Sequence, residues 1–258
     1  MPDGPEPVDW QGAPLDCASC RFAALRAAGA CRQGWACAHD RYAKRIERFF
    51  LLNPARADDC LDAPYFETRM NAARVVSLFR LPRLLEDEDP GVRAMALLRL
   101  PSTHAKRRIE DPDRRVRIAV AHRLKKPDLL PMMQDPDAYV RSIVARRAEP
   151  GMLPVMIPDP DPEIRRIVAR RIGESWLDRF RLDPDPLVRR EAARRRPALF
   201  VGDEDLRVRH EVAEAGAAAD VAQLLDDEVD VIRETAAARL AELGAPAPDL
   251  EGEGDVHR

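Results

Sequence analysis

Five cysteines fall within the first sixty residues of this 258-residue chain, and none follows. Cysteines that serve only as small core residues have no reason to cluster in this way. A shared inorganic centre requires it. Cys17-x-x-Cys20 can place two thiolates on one metal, and Cys31 and Cys37, separated by five residues, supply a second pair. Thiolates are soft ligands that select zinc, copper(I) or iron–sulfur. Zinc is commonly held by two tight pairs, so the wider second spacing is loose for it. A cluster with its metals spread over a cube accepts that spacing. Spacing alone leaves zinc and iron–sulfur equally open, and it matches no ferredoxin pattern. Gly29 and Gly34 give the backbone freedom to wrap a centre.

Cys60 stands apart, beside the start of a repetitive region. It reads as a small buried residue; as a ligand it would replace Cys31 or Cys37. His39 reads as a surface residue, with a role as ligand or neighbouring donor as the alternative. Trp35 and Phe22 are expected to shield the centre from water.

These cysteines need elements to hold them. Residues 1–14 are rich in proline and glycine and read as a loose N-terminus. Residues 15–62 form the cysteine module, which ends in an amphipathic stretch from Asp40 to Leu52. That stretch is expected to join the module to the following array and cap its first layer, because an open array end exposes apolar core. Residues 63–244 are repetitive, and residues 245–258 read as an acidic disordered tail.

The repeat is carried by one arginine, found at positions 69, 93, 117, 141, 165, 189, 209 and 233. Successive gaps are 24 residues except for a single gap of 20. Asp-Pro-Asp precedes the strongest copies and predicts a helix start, with a capping carboxylate and a proline at the entry. Apolar residues recur at −1, +3, +4 and +7 from the arginine, as in Ile164, Val168, Ala169 and Ile172. That is one stripe of a 3.6-residue period. Ala121, Ala145, Ala169 and Ala193 would let adjacent helices approach closely.

The second half of each repeat is broken by proline, as in Pro127 to Met133 and Pro150 to Met156. An α-helix interior does not tolerate this, and a short 3₁₀ turn does. A period of 24 residues is too short for two α-helices per layer. The fold class is therefore all-α, built from alternating α and 3₁₀ helices. Aromatics make up only 5% of the chain, which suits many thin layers better than one thick core.

The DPDxxVRxxVARR block, the proline-flanked LLPxM segment and the 24-residue period resemble the leucine-rich repeat variant family. Cysteines placed ahead of the array resemble its iron–sulfur-bearing members. The resemblance covers roughly residues 15–244. It implies a right-handed superhelical solenoid of alternating α and 3₁₀ helices without strands. It also implies that Cys17, Cys20, Cys31 and Cys37 hold a 4Fe-4S cluster, with zinc as the alternative cofactor. Members of that family often lie near nitrogen-fixation genes.

Charge and motifs bear on function. Arginine outnumbers lysine 38 to 4, a ratio that favours geometric pairing over solubility. The repeated arginine is expected to bridge turn carboxylates of its own and the next repeat, for example Arg117 with Asp111 or Asp135, and Arg141 with Asp135 or Asp159. Residues 99–196 carry 24 basic against 15 acidic side chains, and residues 197–258 carry 5 against 16. Within the basic stretch, Arg146, Arg147, Arg170, Arg171, Arg194 and Arg195 recur in register and read as an anion-binding stripe. Such a stripe suits phosphates, but aromatics for base stacking are sparse.

No phosphate loop, dinucleotide fingerprint, zinc-protease motif or nucleophile elbow is present, so an enzyme is not expected. The chain contains neither a secretory-type leader nor an apolar run that would span a membrane. A cytoplasmic setting is expected. The reading is a non-enzymatic iron–sulfur protein that acts as a scaffold for a protein partner, with the cluster structural or redox-sensing. Nucleic-acid binding and electron carriage are the alternatives.

Overall fold

The computed structural model describes residues 4–244. The acidic tail read from the sequence lies outside the described residues. The chain divides into two compact units, one ending at Met132 and the other beginning at Met133.

In the first unit, the helix Ala43–Leu52 packs on the first repeat helix, Phe66–Val75. It buries Ile46, Phe49 and Phe50, so the apolar end of the array is covered. Helices Pro90–Arg99 and Arg114–Arg123 follow in succession, each packed on the one before. The second unit repeats the scheme with helices Ala138–Arg147, Pro162–Arg171, Pro186–Arg195, Leu206–Ala215 and Asp230–Glu242. Among the described residues there is no strand, only two isolated bridges in the first forty residues.

Local chemistry sets the helix ends. Asp89, Asp113, Asp137, Asp161, Asp185 and Asp205 occupy the N-cap, each accepting from backbone N–H groups of the first turn. The capping residue is thus the second aspartate of Asp-Pro-Asp, or its equivalent. The predicted stripe faces inward: Ile164, Val168, Ala169 and Ile172 are fully buried, as are Ala121, Ala145 and Ala193.

The second halves are 3₁₀ helices, but longer than the short turns expected. Leu78–Glu86 has nine residues, and Pro150–Met156 and Glu174–Phe180 have seven. The cause is a second apolar period. A 3₁₀ helix has three residues per turn, so side chains at i and i+3 eclipse. Leu81 with Leu84, Leu153 with Met156, and Leu177 with Phe180 are buried pairs at that spacing. Two other second halves begin with a short α turn, at Ser102–Ala105 and Ala218–Val221.

The first aspartate of each turn anchors the ladder. Arg93 donates bidentately to Asp111 at 3.0 and 2.8 Å while its third nitrogen donates to the Asp87 carbonyl at 2.8 Å. Arg141 does the same to Asp159 and the Asp135 carbonyl, and Arg165 to Asp183 and the Asp159 carbonyl. Each arginine therefore joins a carboxylate of the next repeat to a backbone carbonyl of its own. Of the two carboxylates expected, Arg93, Arg141 and Arg165 bind the one on the next repeat, and the aspartate of their own turn contributes its carbonyl. The 20-residue repeat keeps this bond, with Arg189 on Asp203 at 2.8 and 2.9 Å. The missing residues come out of the 3₁₀ half, which shrinks to Pro197–Leu199, and Phe200 alone fills the place of the buried pair.

Candidate metal centre

Cys17, Cys20, Cys31 and Cys37 line a single cavity of about 440 Å³ in the first unit. Local backbone chemistry brings each pair together. The Asp16 carboxylate accepts from the N–H groups of Ala18 and Ser19 and from the Ser19 hydroxyl, which curls the chain between Cys17 and Cys20. Between Cys31 and Cys37, Arg32 and Ala36 exchange backbone bonds at 2.9 Å in both directions. Gly34 sits inside this turn with φ of 71°, a conformation that side chains disfavour. The wide sequence spacing is thereby folded into a tight turn. The Gln33 side chain donates to the Leu15 carbonyl at 2.6 Å and ties the two loops to each other.

Backbone N–H groups also point at sulfur, with Phe22 N–H 3.4 Å from Cys20 Sγ and His39 N–H directed at Cys37. Such bonds stabilise thiolates and tune metal–sulfur centres. Burial works in the opposite sense. It pushes the Cys37 thiol up to about 12, aided by the neighbouring Cys31, Asp40 and Cys17. Burial and then the charges of Cys20 and Cys17 also raise Cys31. A cationic centre bound among the four sulfurs would offset this by favouring their thiolate forms. The soft donor set and the two turns suit such a centre, while among the described residues no three His, Cys, Asp or Glu side chains stand converged on one metal position.

Cys60 is buried on the 3₁₀ turn Asp58–Cys60 and lies outside the cavity lining. Burial pushes its thiol up to about 12, with Arg21 opposing and Asp59 and Cys20 adding to the rise. His39 lines the cavity and stacks on Phe22 with ring centroids 5.7 Å apart. Burial lowers its pKa, and Arg21 lowers it further. Phe22 is buried against Phe49 and is not itself in the cavity lining; it meets the site through His39 and its own N–H on Cys20. Trp35, expected beside it, is not part of the cavity lining. Arg32 and Arg48 lie over its ring, at 5.3 and 5.8 Å from the centroid. The two guanidinium groups hold the indole to the outer side of the turn.

Residues 4–14, read from the sequence as part of a loose N-terminus, make specific contacts. Residues 4–14 form one wall of the site, with Asp9, Trp10 and Pro14 in the cavity lining. The Pro5 carbonyl accepts from Arg45 at 2.5 Å, and the Val8 carbonyl from the Arg41 N–H at 3.0 Å. Arg45 is fully buried and ion-paired at 3.0 Å to the equally buried Asp40. Removing one member of such a pair strands a charge. Proline and glycine here mark specific turns, not mobility: Gly4 and Gly12 have φ of 91° and 90°.

The arginines read as an anion-binding stripe each have contacts within the chain, with Arg170 and Arg194 still 58% and 55% exposed. Arg171 donates to the carbonyls of Ala145 and Ala148, and Arg195 to those of Ala169 and Ile172, at the open C-terminal end of the preceding helix. Arg99 and Arg123 do the same in the first unit, on Val76 and Leu100. Cations and donors are favoured there because the last carbonyls lack helical partners. Arg170 pairs with Glu191, and Arg194 with Glu211 at 2.6 Å. Arg146 bonds the Ser142 hydroxyl at 3.1 Å, and Arg147 is also engaged. Burial alone would raise Glu211, but the bonds from Arg194 and Arg190 outweigh it and hold its carboxyl below the usual range. The signal for the carbonyl role was available: arginine recurs six residues after the ladder arginine in six repeats, including three outside the stripe.

A helical repeat array led by a cavity of four cysteines defines a class: a solenoid-type repeat protein with an N-terminal metal module. A family model described as "LRV protein FeS4 cluster" matches residues 7–59. The solved structure titled "A leucine-rich repeat variant with a novel repetitive protein structural motif" is 35% identical, with a TM-score of 0.81 over 88% of this chain and 99% of its own. The chain belongs to the leucine-rich repeat variant family. An uncharacterized 27.7 kDa protein in the nifB 3' region of Rhodobacter capsulatus is 65% identical over 106 residues. That match covers 41% of this chain and 43% of the relative, less than half the length of either. An engineered protein matches with a TM-score of 0.35 and 14% identity over 75% of this chain and 69% of its own, too low to bear on the fold.

Proposed function

We propose that Cys17, Cys20, Cys31 and Cys37 hold a 4Fe-4S cluster, and that the chain is a non-enzymatic scaffold for a protein partner with the cluster as a structural or redox-sensing element. The observation that carries the cofactor reading is the single cavity lined by all four cysteines. Its volume of about 440 Å³ accommodates a multi-atom centre. The matched family model ends at residue 59, so it includes these four cysteines and omits Cys60. When bound, the cluster supplies a one-electron couple. The protein's part is to supply thiolates and direct N–H groups at sulfur, with Phe22 packed behind His39.

The scaffold reading rests on the repeats. Their polar side chains are consumed in holding one layer to the next, and the described helices offer no enclosed catalytic constellation. No described helix is long and apolar enough to cross a membrane. The nitrogen-fixation setting is supported only by the name of the Rhodobacter relative. Electron exchange with a docked partner is the second reading. Cys17 and Cys20 are half-buried while Cys31 and Cys37 are buried, so the centre has one accessible edge.

Anaerobic purification followed by an absorption spectrum and iron and sulfide assays tests the cofactor. Broad absorption near about 400 nm with close to four irons and four sulfides per chain is expected. A colourless protein with stoichiometric zinc refutes the cluster. A cluster that cannot be cycled by one electron without loss refutes the electron-exchange reading and leaves the structural one.

A further inference from the structure

The N-terminal segment is fixed by several contacts that shape a loop and leave one residue at its tip. Val8 and Pro14 form an isolated antiparallel bridge that closes a loop with Trp10 at its tip. The Asp9 carboxylate accepts from the N–H groups of Gln11 and Ala13 at 2.9 and 2.8 Å and sets the loop's shape. Gly12 completes the turn with its φ of 90°. The base of the segment is seated separately. Gly4 lies so close to Tyr42 that an added Cβ would come within 2.6 Å of the ring, and Arg45 grips the Pro5 carbonyl from inside the core.

Trp10 itself is bound by little. Its ring stacks on Tyr65, with centroids 6.2 Å apart and planes 11° from parallel. The indole is still 45% exposed, so the core does not hold it. Both rings line the cysteine cavity. Tyr65 is the N-cap residue of the first repeat helix, and its hydroxyl donates to the Arg41 carbonyl at 3.2 Å. Arg41 is also the residue whose N–H holds Val8.

We infer that the Trp10–Tyr65 stack is a latch: a strap fixed at its base and released at its tip, which controls access of dioxygen and chelators to the metal centre. This rests on the cluster reading above. One half of the latch belongs to the metal module and the other to the first repeat of the array. A movement of the Tyr65 backbone is therefore transmitted directly to the cover of the site. Local opening of such a segment is governed by its own few contacts and not by global stability.

The test uses full-length, cluster-loaded protein prepared without oxygen. Wild type, Trp10→Ala, Trp10→Phe, Tyr65→Phe and, as a control, Phe79→Ala are compared; Phe79 is 95% exposed and lies on the 3₁₀ helix Leu78–Glu86. The readouts are the decay of visible absorbance in air and under an iron chelator, and hydrogen exchange of residues 5–14. Trp10→Ala is expected to speed both decays by about threefold to tenfold, the change in an opening equilibrium when one aromatic pair is lost. Its initial iron content and thermal midpoint should stay at wild-type values. Trp10→Phe and Tyr65→Phe keep a stack and should stay close to wild type, as should Phe79→Ala. A Trp10→Ala protein that loads normally and decays at the wild-type rate, with unchanged exchange in residues 5–14, overturns the latch and leaves the cluster reading intact. A wild type that holds no cluster removes the cluster reading instead.

Discussion

Replacing Arg141 by methionine should separate a buried ladder bond from a surface ion pair. In the second unit Arg141 donates to both oxygens of Asp159, at 2.8 and 3.1 Å, and to the Asp135 carbonyl at 2.8 Å. The two side chains are 11% and 3% exposed. Without the guanidinium, Asp159 keeps only the Asp161 N–H at 2.9 Å, and the Asp135 carbonyl loses this donor. Stranding one buried partner of an ion pair costs about 3–5 kcal/mol, and the arginine's residual exposure favours the lower end. The comparison is Arg115 on Asp113, a pair 56% and 28% exposed, where pairs of this kind contribute about 1 kcal/mol or less. Stacked repeats need not unfold in one step. The assay is therefore urea-dependent hydrogen exchange, read on the helices Ala138–Arg147 and Pro162–Arg171 for Arg141→Met, and on Arg114–Arg123 for Arg115→Met. A drop in opening free energy near 3 kcal/mol for Arg141→Met, against about 1 or less for Arg115→Met, is expected. A double-mutant cycle with Asp159→Asn should return a coupling of at least about 1 kcal/mol. Equal, small effects for the two arginines would refute the claim that this ladder holds the layers together.

The remaining predictions concern pH and the cysteines. The bond from Arg207 holds Asp205 down at about 2, and the bond from Arg209 holds Asp227 below the usual aspartate range. Both carboxyls are lowered in the folded state. Their contribution is therefore present above the ordinary aspartate value of about 4 and lost as pH falls through the lowered values. Acid titration followed by circular dichroism should show helix loss beginning below about pH 4. Asp227→Asn should flatten that transition, and an unchanged acid curve would sink this account. Cys60→Ala should retain wild-type iron and sulfide per chain, because Cys60 lies off the cavity, whereas Cys37→Ala should lose most of both. Iron loss in the Cys60 variant equal to that of Cys37→Ala would move Cys60 into the ligand set.

Much of the array was legible from the chain alone because its signals are local and repeated. The Asp-Pro-Asp turns place caps, the 3.6-residue stripe marks the buried helix face, and proline excludes an α second half. The three-residue spacing of Leu81 with Leu84 and Leu153 with Met156 was equally present, and it explains the long 3₁₀ helices. The N-terminal segment misled because proline and glycine serve both mobile leaders and precisely turned loops. Only the contacts of Pro5, Val8 and Trp10 with distant residues separate the two cases.

The sequence by itself determined the period, the α and 3₁₀ alternation and the grouping of four cysteines, since each follows from residue types at fixed short separations. The tertiary structure alone decided which groups those residues meet. It sent the repeated arginine to the carboxylate of the next layer, seated Arg171 and Arg195 on carbonyls while Arg170 and Arg194 pair with glutamates and stay exposed, and left Cys60 outside the cavity lining. A guanidinium or a thiol can satisfy several partners of equal chemistry. Distance in the packed chain selects among them, and that distance is not written in sequence spacing.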